Sequence, residues 1–440
     1  MNDTPLPTPL TTPQLLTLSL FGLMSGFTLM LTGSTLNFWL CQEAVSLPVI
    51  GAFSLVLLPY SINFLYAPLF DTCALGRLGH RLGPRMAWIG LTQLLLITSV
   101  MLLSLLTPAS NLPLFAGVSF LVAWFSAAQD TILGALKTEL LDSSAQGPAA
   151  GIYIFGYRIG MVLSGSGAIY LSKTLSWHSI YQGCAWVILL LAALFWAALG
   201  WLSPARGSNQ RTSREPSPRI AEADPPMTLR QHVDQFIHAV LQPVGSTTTI
   251  GLILLFLVLY RLPDNFIGTM INPFLLTHGY GALEIASVGK FFGISAAIVG
   301  GFIASWIMKK KSLLICLLLF GGLHAFAHCL FIVHIVYSKQ LLLLFITIGF
   351  ESLTGGMVMA AYIAFIASLC KGQFRATQYA FFTSMMGLSR AILPALSGYL
   401  VQQFGWSAFF AGMTLLTLPS LLLLCAITAT LQKSSGLQER

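Results

Sequence analysis

Residues 179–202 read SIYQGCAWVILLLAALFWAALGWL, a run of 24 residues without a charged side chain. A helix of about 20 apolar residues is long enough to cross the hydrocarbon core of a bilayer, which is roughly 30 Å thick. Similar runs follow one another through the chain, which is 56% hydrophobic and only 8% charged. A soluble surface is usually about a quarter or more charged. The composition therefore excludes an ordinary soluble protein and indicates an all-α integral membrane protein with many spans.

Charge clusters and breaks of Pro, Gly or Ser divide the chain into twelve predicted transmembrane helices. They are expected at residues 14–36, 44–68, 86–106, 112–140, 147–172, 179–202, 248–275, 284–307, 312–336, 340–369, 375–402 and 406–431. Residues 203–245 are the one long polar stretch, and their composition, rich in Pro, Ser and Arg, is typical of a linker. The expected domains are a six-helix bundle at 1–202, a linker at 203–245 and a second six-helix bundle at 246–440. The first apolar stretch lacks a basic segment and a cleavage site, so we expect it to remain as a helix.

Basic residues are distributed unevenly between the two predicted faces of the membrane. With the N-terminus inside, 16 of the 22 Lys and Arg residues fall on the inner side, 2 on the outer side and 4 within the spans. Because basic residues concentrate on the cytoplasmic side of membrane proteins, we expect both termini and the linker in the cytoplasm. This bias also accounts for the net charge of +8 without a nucleic-acid partner.

A small set of charged residues falls inside the predicted spans. A charge at the bilayer centre costs on the order of 2.5–3.5 kcal/mol on insertion scales, so such residues usually face the protein interior and serve a function. The set consists of Asp130, Arg158, Arg261, Asp264, Lys290, Glu351 and Arg390.

The carboxylates of this set, Asp130, Asp264 and Glu351, are the candidates for proton coupling. A carboxylate that loses its ion-pair partner can take up and release a proton. Asp130 has the strongest case, with Arg158 as its releasable partner; the alternative is a fixed structural pair. Arg261 and Asp264, three residues apart on one helical face, can also simply neutralise each other.

The substrate-binding candidates combine arginines with uncharged polar groups. They are Gln129, Tyr157, Arg158, Arg261, Asn265 and Arg390. Guanidinium groups hold carboxylates through paired hydrogen bonds, and the amide and phenol groups suit sugar hydroxyls. Four basic against three acidic residues leave the interior of the spans at +1, which suits an anionic solute unless Lys290 extends outward to the interface.

The loop after the second span carries an acidic residue followed by basic residues and glycines. Its candidate gate residues are Asp71, Arg77, Arg81 and Arg85. We interpret them as a gate in which charges pair differently with helix ends in two states. The alternative for the basic residues is plain anchoring on the cytoplasmic side.

Neither a metal nor a cofactor is expected. His324 and His328 have a spacing that can hold a metal, but no carboxylate or third ligand lies nearby in sequence, so we expect polar packing. The seven cysteines include no CxxC pair, and neither a disulfide framework nor a zinc site is indicated. There is no P-loop, GxSxG or HExxH motif, so ATP-driven transport within this chain is not expected.

Two halves of six spans, joined by a cytoplasmic linker, are typical of the major facilitator fold, in which two bundles enclose a central cavity. When the first half is shifted by 229 residues, Tyr170-Leu171 aligns with Tyr399-Leu400 and residues 176–181 align with residues 405–410. This is a short internal sequence similarity between the halves.

Several motifs, in both halves and in the same order, resemble the AmpG-like branch of the major facilitator superfamily. They are PY at 59–60, FLYAPLFD at 64–71, SAAQD at 126–130, GYRIG at 156–160, YRLPD at 260–264, Glu351 with GGM at 355–357, and FRATQYA at 374–380. The resemblance implies proton-driven import across the bacterial inner membrane, with Asp130 as the coupling residue. It also implies that the cargo is an anhydromuropeptide, a GlcNAc-anhydroMurNAc-peptide returned to the cytoplasm from the cell wall.

The chain departs from the pattern of that branch in three ways. Thr72 stands where a basic residue usually follows the gate aspartate, Gly134-Ala135-Leu136 replaces an Asp-Ala-aromatic sequence, and the chain is too short for two extra helices found in longer members. Single-chain siderophore importers resemble the same branch and share the shorter length, so a ferric-siderophore importer is the main alternative.

Two further classes are an integral-membrane enzyme and a non-transporting sensor. An enzyme would group its acids or histidines near one surface, whereas the charges here are spread over both halves near mid-depth. A sensor would be expected to lose the coupling carboxylate, yet Asp130 is present. We therefore expect a carrier with no enzyme activity, a monomer whose partners are a small-molecule substrate, protons and membrane lipid.

Overall fold

The protein is helical throughout the part of the chain that its computed structural model describes, residues 12–72, 75–139, 146–202, 247–337, 339–370 and 375–436. The α-helices of the first half are α1 (Thr12–Thr32), α2 (Ser34–Gln42), α3 (Leu47–Ala52), α4 (Leu58–Ser61), α5 (Asn63–Thr72), α6 (Gly76–Leu82), α7 (Pro84–Ser104), α8 (Leu112–Glu139), α9 (Gln146–Val162), α10 (Ala168–Leu171) and α11 (Trp177–Leu202). Those of the second half are α12 (Thr247–Thr277), α13 (Ala282–Glu284), α14 (Gly293–Met308), α15 (Leu313–Val336), α16 (Leu341–Leu369), α17 (Arg375–Ala391) and α18 (Ser397–Gly436). The predicted linker at 203–245 lies outside the described residues.

Short segments of other helical types interrupt several of the crossings. Residues Phe53–Leu57 and Leu393–Leu396 form 3₁₀ turns, and Leu163–Gly167 and Ile285–Phe292 form π-helical segments. The two π-helical segments come from opposite halves and pack against each other. A π-helical turn reorients the side chains that follow it, so helical periodicity alone does not predict which residues face the centre.

The described residues contain ten helical segments that are long and apolar enough to cross a membrane. The last of these, Phe381–Ile427, covers 47 residues, about 70 Å of helix at 1.5 Å per residue, and it is broken at Gly405, where φ is 77°. It therefore makes two crossings. The shorter apolar segment Leu47–Ser61 continues into α5 and makes another. The twelve predicted spans are confirmed in this form.

Glycines allow α1 and α9 to pack with their backbones in contact. A Cβ on Gly156 would lie 2.0 Å from the carbonyl oxygen of Ser19, and one on Gly26 would lie 1.9 Å from the carbonyl oxygen of Tyr157. No side chain fits in these gaps. These glycines let the backbones of α1 and α9 approach closely, as small residues do between helices in membranes.

Side-chain hydrogen bonds join the two halves near one end of the bundle. Asn37 Nδ2 donates to the carbonyl of Thr269 at 3.0 Å, and Ser54 Oγ donates to the carbonyl of Ala391 at 2.7 Å. Asn272 adds a third such bond, to Ser34. These contacts close the bundle on the side of the connections at 43–46 and 278–281, and the site lies between the halves next to them.

Candidate functional site

Two adjoining cavities lie between the halves. The larger cavity has a volume of about 380 Å³ and the smaller cavity about 240 Å³. They share Leu57, Met386 and Arg390 as wall residues. Helices of both halves contribute to each wall, so a solute inside would contact both bundles at once.

The charged residues that line the larger cavity all belong to the second half. Arg261 Nη2 lies 2.6 Å from Asp264 Oδ2, so the two residues form the ion pair that their spacing allows. The Nε and Nη1 atoms of Arg261 have no hydrogen-bond partner among the described residues. Both atoms are buried, so this part of the guanidinium is unsatisfied within the described part of the chain.

Other polar side chains complete the wall of the larger cavity. Asn265 donates through Nδ2 to Ser389 Oγ at 3.1 Å. This leaves its side-chain oxygen, Oδ1, as an acceptor for a ligand. Lys290, Glu351 and Arg390 line the same cavity. The alternative that Lys290 extends outward is therefore wrong: its helix turns the amine toward the centre, where carboxylates compensate the charge.

Asp264 also contacts a histidine that the sequence had not placed beside it. His324 Nε2 lies 3.3 Å from Asp264 Oδ1, and His324 Nδ1 lies 2.9 Å from the hydroxyl of Thr354. His324, on α15, is only 5% exposed. Helix packing thus supplies the carboxylate neighbours that the sequence around His324 lacks.

Glu351 belongs to the same cluster. Ligand-type atoms of Asp264, His324 and Glu351 all lie within 4.8 Å of one another, so their side chains share one charge environment. The other oxygen of Asp264 is paired with Arg261 Nη2 at 2.6 Å.

The smaller cavity contains Asp130 of α8 together with Tyr60, Tyr157, Asn63 and Arg390. Near it, the Ser25 hydroxyl accepts from Tyr153 Oη at 2.9 Å. Asp130 Oδ1 has no hydrogen-bond partner among the residues that the structure describes.

Tyr60 begins a chain of hydroxyl groups beside this carboxylate. Its Oη donates to Ser126 Oγ at 2.6 Å, and Ser126 donates to Thr28 Oγ1 at 2.6 Å. Thr28 ends the chain on the carbonyl of Met24 at 3.1 Å. These bonds join α1, α4 and α8 and hold the wall around Asp130 in place.

The expected partner of Asp130 lies elsewhere. No ion pair joins Asp130 and Arg158 in the described parts of the chain; the contact of Arg158 is Nη1 to Met161 Sδ at 3.9 Å. Arg158 and Gln129 are absent from the walls of both cavities, and Gln129 is 1% exposed. The other predicted substrate-binding residues, Tyr157, Arg261, Asn265 and Arg390, do line the cavities.

The predicted gate is only partly described. The side chains of Asp71 and Arg81 lie outside the described set, Arg77 is exposed and Arg85 is half-buried. The charge pairing at this gate therefore stays a prediction.

The charged groups on the cavity walls balance. Their basic members are Arg261, Lys290 and Arg390, and their acidic members are Asp130, Asp264 and Glu351. The excess of +1 counted over all spans included Arg158 and does not describe the cavities. Binding one proton to a wall carboxylate would make the wall net positive.

Comparison with known proteins agrees with this architecture. The sequence model of the Major Facilitator Superfamily matches residues 15–336 and 309–439. The chain is 51% identical to a putative transporter AmpG 1 of Rickettsia bellii, over 94% of this chain and 98% of the relative. It is a member of the major facilitator superfamily, in the AmpG-like branch. This major facilitator chain is also 32% identical to the anhydromuropeptide permease of Escherichia coli K12, over 96% of this chain and 81% of the permease.

Solved structures of major facilitator transporters have the same fold. A D-xylose-proton symporter superposes with a TM-score of 0.67 at 12% identity, covering 94% of this chain and 96% of the other. The POT family transporter PepTSo gives 0.69 at 10% identity, covering 97% and 99%. The fold prediction is confirmed, and the chain is a multi-pass membrane transporter rather than an enzyme.

Sequence reasoning missed His324 and Thr354 as neighbours of the site. A signal for His324 was present: it is a histidine within an apolar span, where a polar group needs a partner. Its partners lie 60 and 30 residues away on other helices, and only helix packing brings them together.

Proposed function

We propose that this transporter imports anhydromuropeptides across the bacterial inner membrane into the cytoplasm, driven by protons. The observation that carries the proposal is the polar lining of the cavities, where three arginine or lysine side chains face three carboxylates between the two halves. The names of its relatives, transporter AmpG 1 and anhydromuropeptide permease, support the class of substrate.

The charge balance supplies a reason for coupling. With every wall carboxylate ionised, the three positive charges on the walls are neutralised. The walls then attract an anionic solute only weakly. When one carboxylate binds a proton, the wall carries a charge of +1 and attracts an anion more strongly. Proton binding and anion binding therefore favour each other, as linkage between two sites requires. Asp130 is the preferred coupling residue, because it lines the smaller cavity and forms no ion pair with another described residue.

The groups on the wall suit a substrate with carboxylates and sugar hydroxyls. Arg261 has two nitrogen atoms without a partner among the described residues, and guanidinium groups bind carboxylates through paired hydrogen bonds. The side-chain oxygen of Asn265 and the hydroxyl of Tyr157 can hydrogen-bond to sugar hydroxyls. An anhydromuropeptide combines these features in one molecule.

The remaining parts of the proposal concern organisation. We expect both termini and the 203–245 linker in the cytoplasm, with bundles at 1–202 and 246–440 around the site, because of the bias in basic residues. We expect Asp71, Arg77, Arg81 and Arg85 to act at the cytoplasmic gate, and a monomer to be sufficient for transport.

Uptake into proteoliposomes with an acid outside tests the proposal. Labelled GlcNAc-anhydroMurNAc-peptide should accumulate, a protonophore should abolish the accumulation, and unlabelled peptide should compete. A ferric siderophore offered in parallel should not accumulate. If the siderophore accumulates and the muropeptide does not, the alternative substrate is correct. A deletion strain that recycles cell wall normally but cannot use a ferric siderophore as its iron source would likewise identify the siderophore as the substrate.

A further inference from the structure

His324 lies between an acid and a hydroxyl that come from two other helices. Asp264 on α12 contacts its Nε2 at 3.3 Å, and Thr354 on α16 contacts its Nδ1 at 2.9 Å. The two nitrogens of a neutral imidazole cannot both donate hydrogen bonds, since only one of them carries a hydrogen. The partners therefore determine how many protons this histidine holds.

The surroundings of Thr354 determine which way its hydroxyl points. Its Oγ1 lies 2.8 Å from the carbonyl oxygen of Phe350 and 3.0 Å from that of Glu351. Carbonyl oxygens only accept, so the hydroxyl donates to one of them and accepts from His324. His324 Nδ1 consequently carries a hydrogen.

This leaves Nε2 facing a carboxylate oxygen. If Nε2 carried no hydrogen and Asp264 were ionised, Nε2 and Asp264 Oδ1 would be two hydrogen-bond acceptors 3.3 Å apart. They would repel each other. The contact is favourable when one further proton is present, shared between Nε2 and Asp264 Oδ1. The geometry thus has a place for a proton beyond those of a neutral histidine and an ionised aspartate.

We propose that His324 and Asp264 together form a proton-binding site of the transport cycle, distinct from Asp130; this inference rests on the proposed proton-coupled function. Asp264 lines the larger cavity whereas His324 is buried, so the proton enters from the cavity on the carboxylate and moves to Nε2. It leaves by the reverse route, and Nδ1–H stays on Thr354 throughout. Loss of the proton makes the contact repulsive and loosens α12 from α15.

The other charged and titratable groups around His324 are consistent with this role. Arg261 lies on α12, His328 on α15 with ring centroids 4.6 Å apart, and Glu351 on α16. With the proton bound, the charges of Arg261, His324, Asp264 and Glu351 cancel, and without it the four carry −1. His328 has no hydrogen-bond partner for either ring nitrogen among the described residues, and both histidines line a third cavity of about 10 Å³ with Asp264.

Replacing His324 by Gln tests the inference. Glutamine can hydrogen-bond Asp264 and Thr354 but cannot carry the proton. Accumulation of labelled GlcNAc-anhydroMurNAc-peptide driven by a pH gradient in proteoliposomes should fall at least about tenfold, whereas counterflow at equal pH should stay within about twofold of wild type. The matched control is His334→Gln, ten residues along α15, where a buried histidine bonds to Tyr280 Oη at 3.2 Å; it should accumulate substrate as wild type does. Full gradient-driven accumulation by His324→Gln would overturn the inference.

A second pair of variants keeps the test decisive if His324→Gln does not fold. Thr354→Val removes the acceptor of Nδ1–H and should therefore weaken proton binding by the His324–Asp264 pair. The pH dependence of uptake should shift to the acid side by about one unit, whereas Thr354→Ser should keep the wild-type profile. An unshifted Thr354→Val profile would refute the proton site. If the wild-type protein itself shows no proton-dependent accumulation, the proposed function fails instead, so the two failures are distinguishable.

Discussion

Asn272 on α12 donates its Nδ2–H to the carbonyl oxygen of Ser34 on α2 at 3.0 Å, with the Ser34 hydroxyl at 3.1 Å from the same nitrogen. The two residues are 238 positions apart and belong to different halves. With the bond from Asn37 to Thr269, this contact closes the face that the basic-residue bias assigns to the periplasm. A transporter that alternates its access must break these bonds to open on that side.

Weakening this closure should open the periplasmic side. We expect Asn272→Ala to raise the reaction of a cysteine placed at Gly268 with an impermeant thiol reagent added from the periplasm by roughly fivefold, because one net hydrogen bond contributes about 1 kcal/mol. Gly268 lines the larger cavity, and a Cβ there meets no atom within 4 Å. The background must lack the native cysteines. Asn111→Ala, an exposed residue that caps Leu114 at 3.1 Å, is the control and should leave labelling unchanged.

Asp130→Asn should separate coupling from binding. The amide imitates the protonated carboxyl, so uptake driven by a pH gradient should fall to background while counterflow persists. Glu284→Gln, which changes an acid that caps Gly281 at 2.7 Å outside the cavities, should behave as wild type. Full uphill uptake by Asp130→Asn would mean that the cluster of Asp264 and Glu351, and not Asp130, carries the coupling proton.

The two arginines of the GYRIG and YRLPD motifs should differ in their tolerance of lysine. Arg261→Lys removes the forked guanidinium from the wall of the larger cavity, and the half-saturation concentration of uptake should rise roughly tenfold. Arg158→Lys alters a side chain outside both cavity walls and should change that concentration less than about threefold. Equal effects would mean that Arg158 reaches the substrate in another state of the cycle.

Close packing of α1 on α9 should make Gly156 intolerant of any side chain. Gly156→Ala places a Cβ 2.0 Å from a backbone oxygen, and we expect it to lose about 1–3 kcal/mol of stability. A lower unfolding temperature in detergent, followed by size exclusion, would report the loss. Gly117→Ala, on α8 with no atom within 4 Å of the added Cβ, should be at least as stable as wild type.

Topology can be tested at the linker. A cysteine replacing Arg211, again in a background without native cysteines, should react with an impermeant reagent only after the cytoplasmic side is exposed. Labelling in intact spheroplasts would show that the predicted orientation is wrong, because it would place the basic linker in the periplasm.

Much of the site could be predicted from the sequence, and the reason is the cost of charge in a bilayer. Arg261, Asp264 and Glu351 stand out in apolar spans, and each lines a cavity. The pairing of Asp130 with Arg158 was a weaker inference, because the two residues lie on different helices. Which faces of two helices meet depends on their rotation and tilt, and these follow from packing such as the glycine contacts of α1 and α9.

The sequence by itself determined the number of crossings, the branch of the family and the set of charged residues that must avoid lipid, because each of these depends on local composition and order along the chain. The tertiary structure alone decided which of those charges meet. The contact of His324 with Asp264, the inward direction of Lys290 and the closure by Asn272 join residues that are far apart in sequence. Such contacts form only when all the helices pack, since buried polar groups must find partners and the bilayer offers none.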